Sequence, residues 1–191
     1  MRTAETALLY FQYVMAMLKR PCGRCGIVLP NGFLFGTGVA AEIKRQLLNR
    51  CNLHTIVRLP NGAFAPYTSI PTNLLFFEVG PPDADEPCTR QVWYYELPLP
   101  KGRNSYTKTK PLQYEEFADC IAWWDHRQEN ERAWRVPVAQ LLANDCNLDR
   151  KNPNARQDFE HMPPEQLADN ILRKEQRILE LMAEIRQALG G

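Results

Sequence analysis

A loop after the second apolar segment of the chain carries two aromatic residues, Phe64 and Tyr67. An aromatic ring at a ligand-facing edge can hold a flat partner, such as a nucleic-acid base that has been extracted from its stack for chemistry. Phe64 is the candidate platform for such a base. The alternative is that its ring plugs the end of a sheet, as packed aromatic residues do.

Four other residues have the types and spacing of zinc ligands: Cys22 and Cys25 form one pair, and Cys51 and His54 form another. Thiolate and imidazole groups in such pairs are typical of four-coordinate zinc. Cys25 begins a predicted strand and Cys51 ends the helix that returns to it, so the pairs could meet in space. The alternative treats Cys25 and Cys51 as small buried apolar residues.

The elements that position these residues follow from the apolar pattern. Residues 25–30 and 53–59 predict buried strands, and residues 39–49 predict a helix between them. This order is the signature of a parallel sheet covered by helices, in which ligands bind beyond the carboxyl ends of the strands. Each strand ends in a Pro-Asn-Gly loop, so Asn31 and Asn61 are predicted at one functional edge.

Further elements extend the sheet and cover it. Residues 72–79 predict a third strand, antiparallel to the second because only about a dozen loop residues separate them. Residues 91–97 predict an edge strand at which the sheet ends. Helices are predicted over residues 4–18 and 114–125, with Trp123, Trp124 and Trp134 packing the second layer, whereas Lys44, in the helix over residues 39–49, is predicted to face outward.

A long helix is predicted over residues 165–189. Its apolar residues follow a heptad seam made of Leu167, Ile171, Ile178, Leu181 and Ile185. At ~1.5 Å per residue the helix reaches nearly 40 Å, more than this small domain can cover. It either folds back on its own domain or docks onto the helices of a partner.

The charge distribution favours a polyanion near the first part of the chain. Residues 1–80 contain eight Lys/Arg and three Asp/Glu, whereas residues 81–191 contain fifteen and nineteen. Residues 98–111 are predicted to form an exposed basic loop. The alternative interpretation is a solvated connection between neighbouring elements. No membrane span or signal peptide is evident and the six cysteines are scattered, so we expect a cytoplasmic protein with reduced thiols.

Several stretches together resemble the later half of the adenine-N6 methyltransferase domain in modification subunits of type I restriction-modification systems. They are Leu8-Leu-Tyr-Phe-Gln12, residues 18–35, residues 64–77, Trp134, Asn147-Leu-Asp149, Asn152-Pro153, Pro164-Glu165 and residues 175–180. The resemblance implies that Phe64 stacks on a flipped adenine in DNA. It also implies that the terminal helix docks onto the specificity subunit, within a complex that includes the restriction subunit.

The sequence departs from this family in two motifs. The family binds S-adenosylmethionine through a Gly-rich loop and positions the adenine amino group with Asn/Asp-Pro-Pro-Phe/Tyr. Neither motif occurs here, because Gly80 and Met162 precede the two Pro-Pro pairs and Gly36-Thr-Gly38 lacks a third glycine. We therefore expect the complete enzyme to use S-adenosylmethionine and this chain alone to bind no cofactor, with the missing parts upstream of Met1.

The predicted fold class is α/β, a partial doubly wound, Rossmann-like methyltransferase sheet with a helical C-terminal region. The resemblance implies that residues 1–112 form the C-terminal half of the methyltransferase domain, residues 113–162 a helical and loop extension, and residues 163–191 a docking helix. It also implies that the chain taken alone supplies the target-base wall and is inactive. The alternatives are a non-catalytic assembly module, including one that self-associates through the terminal helix, and a zinc-stabilised binding module.

Overall fold

The computed structural model describes most of the chain, namely residues 6–20, 22–81, 86–154 and 164–189. The chain divides into two compact units, Met1–Ala155 and Arg156–Gly191, which are described separately. Residues 82–85 and 155–163 lie outside the described residues.

The first unit is built on a five-stranded mixed sheet. Its strands are β1 (Arg24–Pro30), β2 (Cys51–Arg58), β3 (Thr72–Val79), β4 (Gln91–Glu96) and β5 (Ala133–Pro137). Their order across the sheet is β1-β3-β2-β4-β5. β3 is antiparallel to both β1 and β2, β4 is parallel to β2, and β5 is antiparallel to β4. The predicted α/β class and the antiparallel third strand are confirmed.

Six α-helices and one 3-10 helix are present in the described part of the chain. They are α1 (Thr6–Met17), α2 (Asn31–Phe35), α3 (Val39–Arg50), the 3-10 helix Tyr114–Phe117, α4 (Ala118–Asp125), α5 (Val138–Leu142) and α6 (Pro164–Leu189). The predictions missed α2 and α5, because five residues are too few to show a helical period. Asn31-Gly32, predicted as a turn, begins α2. None of the described helices is long and apolar enough to cross a membrane.

Helices cover both faces of the sheet. α1 and α3 pack on one face, around a core that includes Phe11, Ile43 and Leu47. On the other face, α4 packs Trp123 against Tyr95. The doubly wound arrangement that was predicted is therefore present, with its cores on opposite sides of one sheet.

Two predictions about the end of the sheet are wrong. β4 is not an edge strand, because β5 pairs with its outer side. Trp134 does not pack the second layer, because β5 directs it to the α1/α3 face, where it stacks on Tyr94 at a centroid distance of 5.2 Å. Side chains alternate between the faces of a strand, so its position in β5, and not in a covering helix, decides where this ring packs.

Lys44 was predicted to face outward but is fully buried. Its Nζ donates to the carbonyl oxygens of Leu34 at 2.7 Å and Gly36 at 2.9 Å. These carbonyls lie at the C-terminal end of α2, where the helix itself offers no donors. Lys44 therefore ties α3 to the end of the short helix that begins with Asn31.

Burial lowers the pKa of Lys44 from 10.5 to about 8, because the charged ammonium loses its hydration. Between these values the unfolded chain binds more protons than the folded one, so the contribution of Lys44 to stability rises with pH. Relative to Lys44→Met, we expect the wild type to gain on the order of 2–3 kcal/mol of unfolding free energy across this window. Urea denaturation at a series of pH values measures the difference, and a flat difference would contradict the prediction.

Candidate functional site

The carboxyl ends of β1, β2 and β4 lie at one edge of the sheet, because these strands run in the same direction. A groove of about 490 Å³ opens at this edge. It is lined by polar residues from the strand ends, among them Asn31, Arg58, Asn61, Asn73 and Glu96. The structure thus brings Asn31 and Asn61 to one groove, although they are thirty positions apart in the chain.

The side-chain amide of Asn31 has a fixed orientation. Its Oδ1 accepts a hydrogen bond from Asn73 Nδ2 at 3.1 Å, and its Nδ2 donates to Asp149 Oδ2 at 3.3 Å. An amide offers two donors and two acceptor lone pairs, so one of each is left for a ligand. Asn31 can therefore present both a donor and an acceptor to the groove.

Arg58 lies between two carboxylates in the same groove. Its Nη2 donates to Asp149 Oδ1 at 2.7 Å, and its Nη1 lies 3.8 Å from Glu96 Oε1. Glu96 in turn accepts from Asn152 Nδ2 at 3.1 Å. Arg132, which also lines the groove, has its Nη1 2.9 Å from Asp119 Oδ2. Because both cations are paired, the groove has little net positive charge and suits a neutral polar group better than a phosphate.

Asp149 and Asn152 were not predicted as site residues. The segment that carries them is anchored from within: Leu148 N donates to Leu34 O at 2.9 Å, and Tyr94 Oη donates to Leu148 O at 3.0 Å. Burial raises the pKa of Tyr94, so its hydroxyl stays protonated and keeps this bond. No local pattern in residues 147–153 indicates that this segment returns to the groove.

The loop after β2 is an ordered structure that displays aromatic rings. Phe64 is 40% exposed and Tyr67 is 93% exposed. Backbone bonds from Tyr67 N and Thr68 N to Phe64 O, at 2.9 and 3.3 Å, close the loop on itself. The structure therefore places both predicted aromatics at the surface of the carboxyl edge and does not bury them in the end of the sheet.

A second segment supports the base of this aromatic loop. Tyr106 N donates to Asn61 O at 3.0 Å, and Gly62 lies against the Tyr106 backbone with a φ of +76°. The Tyr106 hydroxyl is bonded to the Glu116 carboxylate, and burial raises its pKa. Lys101, Lys108 and Lys110 of the same segment are exposed. The predicted basic loop thus lies next to the aromatic loop.

The possible zinc ligands are not brought together. Cys25 and Cys51 belong to the α1/α3 face of the sheet, whereas His54 packs edge-on against Trp124 on the α4 face. Across the described residues, no three His, Cys, Asp or Glu side chains are placed to hold a metal ion. Burial and the nearby Arg127 lower the pKa of His54, which is a packed residue.

The turn formed by Gly36, Thr37 and Gly38 does not fit a nucleotide-type cofactor. A cofactor-binding glycine loop connects a strand directly to a helix, with free backbone N–H groups at the helix start. Here α2 intervenes after β1, Gly36 O accepts from Lys44, and Gly36 N donates to Gly32 O at 3.0 Å. The turn therefore serves the packing of α2 and α3.

The second unit contains the helix α6, whose predicted seam can be followed in part. The side chains of Ile171, Ile178, Leu181 and Ile185 are exposed, and that of Leu167 lies outside the described side chains. Leu172, Leu179 and Met182 are exposed as well, so the apolar stripe is wider than a two-residue heptad seam.

The family model N-6 DNA Methylase matches residues 1–162. The type I restriction enzyme EcoEI methylase subunit of Escherichia coli is 45% identical over 198 residues, which cover 100% of this chain and 39% of that protein. The chain thus spans well under half of this relative's length.

Two solved structures are similar throughout most of the chain. A modification subunit assigned to a type I restriction enzyme from Vibrio vulnificus YJ016 has a TM-score of 0.75 and 47% identity, covering 84% of this chain and 35% of that one. A second, from a study of complex assembly and conformational transition of the type I R-M system, has a TM-score of 0.74 and 38% identity. The match covers 99% of this chain and 40% of the chain in that second structure.

We expect Gly62→Ala to destabilise the fold by about 2–4 kcal/mol, since a Cβ would both strain the left-handed backbone and collide with the Tyr106 carbonyl. Gly102→Ala is the matched control, because Gly102 has a φ of +79° with open space around it. It should cost only about 1–2 kcal/mol. Urea denaturation compares them, and equal costs would show that the contact between the two loops is unimportant.

Proposed function

The chain belongs to the N-6 DNA methylase family, and on this basis we propose that it forms the target-base wall of a DNA adenine-N6 methyltransferase. The complete enzyme would be the modification subunit of a type I restriction-modification system. Phe64 carries the proposal, because its half-exposed ring stands in an ordered loop at the carboxyl edge of the sheet. A ring held in this way can stack on a flipped adenine.

The surroundings of Phe64 suit DNA in two different ways. The lysines beside the aromatic loop are exposed and can contact phosphates, which carry most of the affinity of a protein for DNA. The groove at Asn31 and Asn61 has its cation paired and leaves a free amide donor and acceptor, which suit the polar edge of a base. Base and backbone would thus be recognised by neighbouring but distinct surfaces.

S-adenosylmethionine would supply the methyl group for transfer to adenine N6. The Gly36–Gly38 turn does not fit this cofactor, because α2 separates it from β1 and both Gly36 N and Gly36 O are bonded within the fold. We propose that the cofactor site lies in another part of the complete enzyme. The residues of this chain bind and orient the base, and we expect the chain alone to be inactive.

A chimera tests the role of Phe64. This chain replaces the matching region of the EcoEI methylase subunit, to which it is 45% identical. Phe64→Ala should lower the rate of adenine methylation about 5- to 150-fold, because stacking on one base contributes about 1–3 kcal/mol. Phe64→Trp preserves a stacking surface and should retain most of the activity.

The same chimera can report stacking directly. 2-Aminopurine at the target adenine should be more fluorescent with Phe64→Ala than with Phe64→Trp, because the extracted base loses its aromatic partner. If Phe64→Ala methylates DNA at the unaltered rate, the ring does not form the base-binding wall.

We further propose that α6 docks onto the specificity subunit. Its 26 residues span about 39 Å at 1.5 Å per residue, and its apolar stripe is exposed in the described part of the helix. A stripe of this width suits packing between the helices of a bundle. The match to the structure from the study of type I complex assembly covers 99% of this chain, so it extends over α6.

Ile178→Asp should weaken binding to the specificity subunit of the EcoEI system by at least about tenfold, because a carboxylate would be buried in an apolar helix contact. Arg173→Gln changes the net charge by the same amount on the polar face of α6 and should leave binding unchanged. Sedimentation velocity of the mixtures measures both. Unchanged association after removal of residues 164–191 would refute the docking role.

The same experiment tests the alternative of a non-catalytic assembly module. Self-association of the chain through α6, without binding to the specificity subunit, would favour that function.

The proposed division of the chain is residues 1–112 as the methyltransferase half, residues 113–162 as an extension and residues 163–191 for docking. DNA and the restriction subunit are the other proposed partners, in the cytoplasm.

A further inference from the structure

Asp149 and Asn31 join two distant parts of the chain at the groove, and the bond between them has a single possible polarity. Asp149 lies in the segment after α5, 118 positions from Asn31 at the start of α2. A carboxylate that is paired with a cation accepts hydrogen bonds and donates none. The group of Asn31 that faces Asp149 Oδ2 at 3.3 Å is therefore the Nδ2 amine, and Asp149 decides which way the amide points.

The other side of the Asn31 amide is held in the same sense. Asn73 Nδ2 donates to Asn31 Oδ1 at 3.1 Å, and Asn73 is only 2% exposed. A rotation of the Asn31 amide by half a turn would place its oxygen against the Asp149 carboxylate and its amine against the amine of Asn73. Both hydrogen bonds would be replaced by repulsive contacts. The amide is thus held in one of its two orientations.

Arg58 holds Asp149 in position. Its Nη2 donates to Asp149 Oδ1 at 2.7 Å, and its Nη1 donates to the backbone oxygen of Arg150 at 2.7 Å. The guanidinium therefore binds two successive residues of the segment, and it uses the carboxylate oxygen that Asn31 does not use. We call the hydrogen-bonded series Arg58, Asp149, Asn31 and Asn73 the polar chain.

The polar chain leaves one N–H of the Asn31 amide without a partner among the described residues, and Asn31 lines the groove. The amino group of adenine donates hydrogen bonds, so the acceptors that adenine offers to this N–H are its ring nitrogens N1, N3 and N7. We infer that Asn31 donates to a ring nitrogen of the extracted adenine and that Asp149 is the positioning residue that keeps this donor available. This inference rests on the proposed function.

The groove favours this contact because its charged donors are engaged elsewhere. Arg58 binds Asp149, and Arg132 Nη1 donates to Asp119 Oδ2 at 2.9 Å. A neutral amide suits a neutral ring nitrogen, because a charged donor would lose more hydration when a base covers it. The segment after α5 would then contribute to recognition of the base as well as to the support of the fold.

The test uses the chimera described above, together with the EcoEI specificity subunit and duplexes in which the target adenine is replaced. 1-Deaza-, 3-deaza- and 7-deazaadenine each have a C–H group in place of one ring nitrogen and retain the amino group that is methylated. The analogue that lacks the contacted nitrogen should be methylated about 3- to 10-fold more slowly than adenine, because one hydrogen bond is lost. Equal rates for adenine and all three analogues would show that the inference is wrong.

Asp149→Asn removes the constraint on the Asn31 amide, because an amide at position 149 can donate as well as accept. The ratio of the adenine rate to the rate of the sensitive analogue should fall about 3- to 10-fold, to the ratio that the analogue's own reactivity sets. Asp145→Asn is the matched control, since it removes an exposed carboxylate from the same segment and should leave this ratio unchanged. Reactivity differences between the analogues are common to all variants and cancel in the comparison.

The double substitution Asn31→Asp with Asp149→Asn separates base recognition from support of the fold. Position 149 then donates to position 31, so a bond between them is kept with reversed polarity, but position 31 has no N–H for a base. The sensitivity to the ring nitrogen should stay absent, and thermal unfolding verifies that each variant is folded. Sensitivity that survives Asp149→Asn, or that returns in the double variant, would overturn the inference.

Phe64→Ala distinguishes this inference from the role proposed for the aromatic ring. Stacking tolerates any base, so loss of the ring should slow the methylation of adenine and of all three analogues alike. A changed rate with an unchanged ratio therefore reports on Phe64, whereas a changed ratio reports on Asn31 and Asp149.

Discussion

The length of the connection between β2 and β3 determines how the whole edge of this sheet is arranged. Residues 59–71 are too few for a helical crossover, so β3 returns antiparallel and enters the sheet between β1 and β2. The ends of β1 and β2 are thereby held two strand spacings apart, about 10 Å. The Asn31 and Asn61 loops border the resulting groove, and the connection itself becomes the loop that displays Phe64.

Buried hydrogen bonds beneath the groove hold the segment that carries Asp149 in position. Leu34 O accepts from both Lys44 Nζ and Leu148 N, and Leu148 O accepts from the Tyr94 hydroxyl. These bonds join α2, α3, β4 and the segment that follows α5 at a single point in the core. Because unpaired buried groups cost free energy, the bonds restrict the segment to one position. Asp149 therefore reaches Asn31 and Arg58 from a rigid support.

Charge is divided between two neighbouring surfaces. In the groove, Arg58 forms ion pairs with Asp149 and Glu96, so its positive charge is largely neutralised there. The lysines of the segment around Tyr106 are exposed beside the aromatic loop. In the proposed function, a duplex would meet positive charge at its backbone and a balanced set of donors and acceptors at a displaced base.

The sequence by itself determined the elements with a strong apolar period, the antiparallel return of β3 and the common edge of Asn31 and Asn61, because these depend on local burial patterns and loop length. The resemblance to the methylase family also came from the sequence and is confirmed by residues 1–162. Only the tertiary structure decided the burial of Lys44, the face on which Trp134 packs and the place of β5. It also decided the approach of Asp149 to Arg58 and Asn31, which lie 91 and 118 positions away from it in the chain. Such contacts depend on the path of the whole chain, and no local periodicity reports that path.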